Sequence, residues 1–284
     1  MNELKRHTGT SFSSQLTLFQ WLVGFFFIEL MWTFAGGWLT YEVQTLFNRF
    51  SLGSTVLSAY ISGNLNFLVL FGALLIFIRF GVGSSLQRYV TDAPAFRYRL
   101  FFQAFGIWSA LLLLFSLAIW VGDPQRIVFV PPSDLSERLL FFLLVFILTP
   151  LQSISEELLF RSTLWRMLSG RLKKRWLICL ISAVAFALAH LNSALGNWPV
   201  LLYYVLSGFL FMSLTIQSKG SELVFGAHVA NNLFVAIVLN YGGSPLVSDS
   251  LFYQQTPILL VDYAILLLFF VMNIVAVKQE EKGE

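Results

Sequence analysis

The chain has 284 residues, of which 57% are hydrophobic and 17% aromatic, while 12% are charged, against roughly 25% in a soluble globular domain. Too few charged side chains exist to cover a soluble surface of this size, and 30 Phe with 8 Trp exceed what one buried core holds. A water-soluble protein, a disordered chain, a disulfide scaffold and a nucleic-acid binder are excluded, and a net charge of +3 is too small to imply a polyanionic partner.

In chain order, a polar start with Lys5 and Arg6 leads into a first apolar run, Leu18 to Leu39, too long for a typical signal-peptide core. Further runs follow from Leu57 to Phe77, Leu100 to Val121, Leu139 to about Ser169, Trp176 to Leu195, Val200 to Ile216, Leu223 to Asn240 and Ile258 to Val277. Each is near the length of about 20 apolar residues that spans a bilayer core. The expected fold is all-α, a polytopic integral membrane bundle of about eight transmembrane helices in a single membrane domain, 1–284. No internal repeat or separate soluble domain is visible.

With alternating spans, one side collects Lys5, Arg6, Arg79, Arg88, Arg97, Arg99, Arg166, Arg171, Lys173, Lys174, Arg175, Lys219, Lys278 and Lys282, and the other Arg49, Arg126 and Arg138. This bias places both termini in the cytoplasm, in an inner or plasma membrane of bacterial type. The Arg171 to Arg175 run reads as an anchor to anionic headgroups. Cys179 is the single cysteine, among apolar neighbours, and reads as an inert buried thiol.

Ionisable side chains within spans are expensive, so each is a functional candidate. The fourth span holds Glu156, Glu157 and Arg161, with Glu157 and Arg161 at i and i+4, the favoured orientation for a pair. The fifth holds His190, with Phe186 on the same face; the seventh holds His228 and Asn232, again at i and i+4. Apolar residues would pack as well without the desolvation cost, so this cluster reads as a site rather than as packing. Pro150 predicts a kink just before the carboxylates, and Asp134 with Glu137 has capping-box spacing at the start of that helix. At 1.5 Å per residue, Glu156 and His190 both lie about 21 Å from the basic ends of their helices, and His228 about 10 Å. The seventh helix must therefore start deeper, tilt or bend. Glu29 and Asp262 either pair with polar neighbours or line the cavity, Asn64, Asn66 and Asn273 are expected to bridge helices, and all five read as structural before functional.

The series Glu156-Glu157-x-x-x-Arg161, Phe186-x-x-x-His190 and His228-x-x-x-Asn232, on successive hydrophobic segments, resembles the CPBP intramembrane protease family. That family includes the type II CAAX prenyl proteases and Abi-like bacteriocin-immunity relatives. The resemblance covers about Leu139 to Leu239 and gives a core of 139–239. It implies peptide-bond hydrolysis at a cytoplasm-facing site, on peptide, membrane-protein or prenylated-type substrates, with membrane lipid as the other partner. It further implies that Glu156, as general base, and His190 activate a water, that His228 and Asn232 donate to the oxyanion, and that Glu157 and Arg161 support Glu156. The cofactor is either none or a divalent metal such as zinc, for which Glu156, His190 and His228 form a sufficient set, although no His-Glu-x-x-His occurs. A transporter and a non-catalytic immunity or scaffold protein remain as alternatives, the first without the expected inverted repeats.

Overall fold

The computed structural model describes residues 16–283, so Lys5, Arg6 and His7 lie outside the described residues. The chain is mostly helical. Among the described residues, five helices are long and apolar enough to cross a membrane: α1 (Leu18–Phe50), α2 (Thr55–Gly81), α4 (Tyr98–Gly122), α5 (Leu135–Leu168) and α7 (Trp198–Ser218). Three shorter apolar helices, α6 (Arg175–Ala189), α8 (Glu222–Val238) and the Leu259–Val275 part of α9 (Leu259–Gly283), fall on the other three expected spans. A short helix, α3 (Leu86–Val90), lies between α2 and α4. Large apolar side chains such as Phe19, Phe34, Phe80 and Leu260 stand outward and exposed, as lipid contact requires.

Helix limits follow local capping chemistry more closely than they follow hydropathy. The first helix continues beyond Leu39 to Phe50, where Ser51 turns left-handed at φ 50°. It opens with a capping box in which Thr17 and Gln20 bond each other's backbone. Helix α5 starts at Asp134, whose side chain accepts from the backbone of Ser136 and Glu137. The Ser136 hydroxyl and these N–H groups hold its carboxyl below the usual range. The expected reciprocal bond is not made: the Glu137 carboxylate accepts from Ser54 N at 2.9 Å instead, fastening α5 to the start of α2.

Pro150 lies inside α5 and the helix passes through it. The departure from α geometry comes further on, as a π turn over Leu158–Thr163 in which the Thr163 hydroxyl donates to the Leu158 carbonyl at 2.8 Å. Such turns absorb one extra residue and recur at functional sites; this one carries Arg161.

Two glycines set the closest helix approaches. A Cβ on Gly226 of α8 would lie 2.1 Å from the Phe101 carbonyl oxygen of α4, and one on Gly208 of α7 would lie 2.7 Å from Ala183 Cα of α6. Trp108 of α4 then meets Phe211 of α7 and Phe269 of α9 edge to face. Asn64 and Asn273 donate to carbonyls of their own helices, Tyr60 and Phe269, rather than bridging helices as expected.

The helix ends sort into two faces. On one, Arg97 grips Glu222 through two bonds of 2.9 and 2.8 Å, Arg166 reaches Asp92 and the carbonyls of Tyr89 and Arg88, and Asp92 N donates to the Lys219 carbonyl. Arg171 is tied to the carbonyls of Met167 and Leu16, so of the basic run only Lys173, Lys174 and Arg175 stand exposed. On the opposite face, three-residue strands β1 (Ile127–Phe129), β2 (Leu239–Tyr241) and β3 (Phe252–Gln254) form a sheet in the order β1-β3-β2. There Arg138 holds Asp249 at 2.6 Å and the Val130 carbonyl at 2.7 Å.

Candidate active site

The motif residues converge. Glu156 and Glu157 end the regular part of α5, just before the π turn, and both are buried. Helix α6 does not run on to Leu195 as its hydropathy implies: it stops at Ala189, and His190 is its C-cap, with φ −101° and ψ 11°. The His190 side chain folds back so that Nδ1 lies 2.9 Å from the Phe186 carbonyl. A carbonyl only accepts, so Nδ1 carries the proton and Nε2 turns toward Glu156, 3.7 Å from Oε2. Phe186 and Tyr204 pack on the imidazole, each at 4.4 Å between centroids, which fixes the ring plane.

His228 reaches the site because α8 starts deep. Ser221 and Glu222 are fully buried, covered by the segment before α4 through Ser221 N to Val90 O at 3.1 Å. Nδ1 of His228 lies 2.7 Å from Glu157 Oε1, and Nε2 is 4.0 Å from the same Glu156 Oε2 that His190 faces. Glu157 thus orients His228 rather than Glu156. Gln152, one turn before Glu156, donates to Glu156 Oε1 at 3.4 Å.

Arg161 is fully buried, with Nε 3.1 Å from Glu157 Oε2 but out of hydrogen-bond alignment, so the contact is an ion pair by distance alone. Its guanidinium lies over the Phe186 ring at 4.2 Å and near Phe211 at 5.4 Å. Asn232 donates one amide N–H to the Ser153 hydroxyl at 3.1 Å and accepts from Asn231 at 3.0 Å. Asn231 in turn accepts from the Trp108 indole at 3.2 Å. One N–H of Asn232 remains for a ligand.

Several of these residues lie outside the motifs. Gln152 and Ser153 stand one helical turn before the two glutamates, so i−4 spacing could have found them. Asn231 is adjacent to a motif residue. Tyr204 and Trp108 carry no signal in the sequence.

A cavity of about 780 Å³ is lined by Glu156, Arg161, His190, His228, Asn231 and Asn232. The resemblance implied an opening toward the basic face. The lining runs the other way, to Ser193, Leu195 and Asn197 after α6 and to Gly243, Pro245 and Thr256 around the small sheet. Toward the basic face the chain is closed, since Leu158 to Leu168 are all buried. The physical cause is length: α6 stops at Ala189 and α8 at Val238, short of that face, and other segments complete the span. Asp262 lines the same cavity, and Glu29 lines a smaller one between α1 and α6.

For the expected zinc set, the two Nε2 atoms are 3.7 and 4.0 Å from one carboxylate oxygen. Among the described residues, no group of three His, Cys, Asp or Glu side chains is arranged to hold a metal ion.

Fold and site together define an integral membrane protein with a buried carboxylate–imidazole centre. Residues 136–234, which include all seven motif side chains, match the family described as Type II CAAX prenyl endopeptidase Rce1-like, a match that supports the resemblance to the CPBP family. Over 107 residues the chain is 33% identical to "Uncharacterized protein YyaK" of Bacillus subtilis (strain 168), covering 35% of this chain. The match spans 36% of that relative's length. No solved structure matches the chain.

Proposed function

We propose that the protein is an intramembrane endopeptidase that hydrolyses peptide bonds with a water activated by Glu156 and His190. One observation carries this reading: two imidazole Nε2 atoms, each with its other nitrogen held, face a single buried carboxylate oxygen in a cavity. A water between Glu156 and His190 would donate both its protons to acceptors, Oε2 and Nε2, leaving a lone pair for the scissile carbonyl. Glu156 takes a proton as the C–O bond forms and returns it to the leaving amine as the C–N bond breaks.

Charge balance assigns the remaining roles. Glu156 and Glu157 bring two negative charges and Arg161 one positive, all buried, and burial without compensation is expensive. One further proton on His228 makes the group neutral. Nδ1–H then binds Glu157 and Nε2–H points into the cavity, where with the free N–H of Asn232 it stabilises the oxyanion. Arg161 and Phe186 are positioning groups behind Glu157 and His190.

The same reading includes a single membrane domain of about eight spans with both termini in the cytoplasm, and peptide or membrane-protein substrates. Its test is a comparison of membrane and secreted peptides, by mass spectrometry, between cells carrying wild type and Glu156→Gln. Peptides that span a cut only in the variant are expected; identical peptide sets count against hydrolysis.

A further inference from the structure

Which side of the membrane the cavity faces follows from two independent features. The first is charge. The face built around Arg88, Arg97, Arg166 and Lys219, with exposed Lys173 and Lys174 beside it, is the basic one. The opposite face has Arg49, Arg126 and Arg138, the last two paired with Asp123 and Asp249. Lys and Arg flanking spans stay in the cytoplasm.

The second feature is where the cavity leads. From Glu156 toward the basic face, the π turn and the rest of α5 are buried, Ser162 bonds Ser221 at 2.9 Å, and Tyr89 bonds Thr163 at 2.9 Å. That side is plugged. In the other direction α6 and α8, about 22 and 25 Å long at 1.5 Å per residue, are shorter than the bilayer core of about 30 Å. The segments that replace them carry the exposed Ser193, Asn197, Gly243 and Thr256, which line the cavity. Apart from the buried group of Glu156, Arg161 and His228, its lining bears one charged side chain, Asp262, and no lysine.

We infer that the catalytic cavity opens on the non-cytoplasmic side, and that its substrate is a neutral or basic polypeptide segment presented at the outer face of the membrane. The substrate part rests on the peptidase reading; the orientation does not. An acidic segment is disfavoured by Asp262 and by the absence of cations near the mouth.

The single cysteine makes the orientation measurable. In a Cys179→Ala background, Ser193→Cys and Thr256→Cys mark the mouth on two different loops, and Lys173→Cys marks the basic face. Intact cells are treated with a membrane-impermeant maleimide, then compared with permeabilised cells. The two mouth variants are expected to label equally in both, and Lys173→Cys only after permeabilisation. Mouth cysteines that label only after permeabilisation, or a Lys173→Cys that labels in intact cells, overturn the inference. Labelling needs no turnover, so either result leaves the peptidase reading to its own test. Two loops are used so that one misfolded variant does not decide the result.

Discussion

Replacing Glu157 by glutamine keeps the side chain's shape and removes its charge. In the native protein this fully buried carboxylate accepts from His228 at 2.7 Å and lies 3.1 Å from Arg161 Nε. Glutamine still offers His228 an acceptor, so ring orientation is retained. Arg161, fully buried, is left facing the rings of Phe186 and Phe211. Removing one partner of a buried ion pair costs about 3–5 kcal/mol, and the cation–π contacts, already made in the native protein, do not offset it. With Glu157 neutral, Glu156 and Arg161 already balance, so the extra proton on His228 is lost and Nε2 no longer donates. Losing one oxyanion donor costs about 10²–10³ in kcat. Stability is read in detergent from the thiol of Cys179, buried in the native state and reactive on unfolding. The variant is expected to unfold at lower temperature and to turn over peptide at least 100-fold more slowly, the lower end of that range. A second substitution, Arg161→Met, removes the stranded cation and restores the need for a protonated His228. The double variant is expected to regain stability and part of the activity. An unfolding temperature unchanged in Glu157→Gln, or a double variant less stable than the single one, refutes the charge argument.

Three further outcomes follow. Gly226→Ala sets a methyl 2.1 Å from the Phe101 carbonyl oxygen; backbone yields poorly, so α8 shifts from α4, with a loss of about 1–3 kcal/mol typical of overpacking and slower turnover because His228 follows two residues on. Unchanged unfolding and turnover would mean that the close approach is not rigid. Arg138→Met frees the Val130 carbonyl and Asp249, the second being the tie that holds the 242–251 loop between β2 and β3. Limited proteolysis in lipid discs is expected to cut this loop faster than in the native protein, and equal cutting rates count against the anchor. Turnover is expected to survive a chelator and to gain nothing from added zinc; loss on chelation with recovery on zinc replaces the protein-only chemistry with a metal-assisted one.

What the sequence reveals divides by distance along the chain. Composition alone places the chain in a membrane, because lipid contact needs apolar surface whatever the fold. The Glu157–Arg161 pair and the N-cap at Asp134 are local, so helical spacing and capping preference expose them. Glu157 with His228 is a contact between residues 71 apart, and no local rule assigns that partner. The end of α6 is hidden for a different reason: Leu191, Ala194 and Leu195 continue the apolar run, and the first glycine after His190 is Gly196. Hydropathy therefore overruns the histidine. The π turn at Leu158–Thr163 has no signature in a pattern of apolar residues, and strands of three residues are too short to establish a period of two. Charge counts along the sequence predict two faces for the helix ends. They do not reveal which face the cavity meets, since that depends on where α6 and α8 stop.

The most direct test concerns Glu156 as the base that activates water. Wild type and Glu156→Gln are reconstituted in lipid vesicles, matched for unfolding temperature through Cys179, and given a membrane-associated peptide recovered from the cellular comparison. Glutamine at 156 can still accept from Gln152 and fills the same space, so the fold is expected to persist. Removal of a general base is expected to slow cleavage by about 10²–10⁴. Equal cleavage by the two proteins would contradict the account.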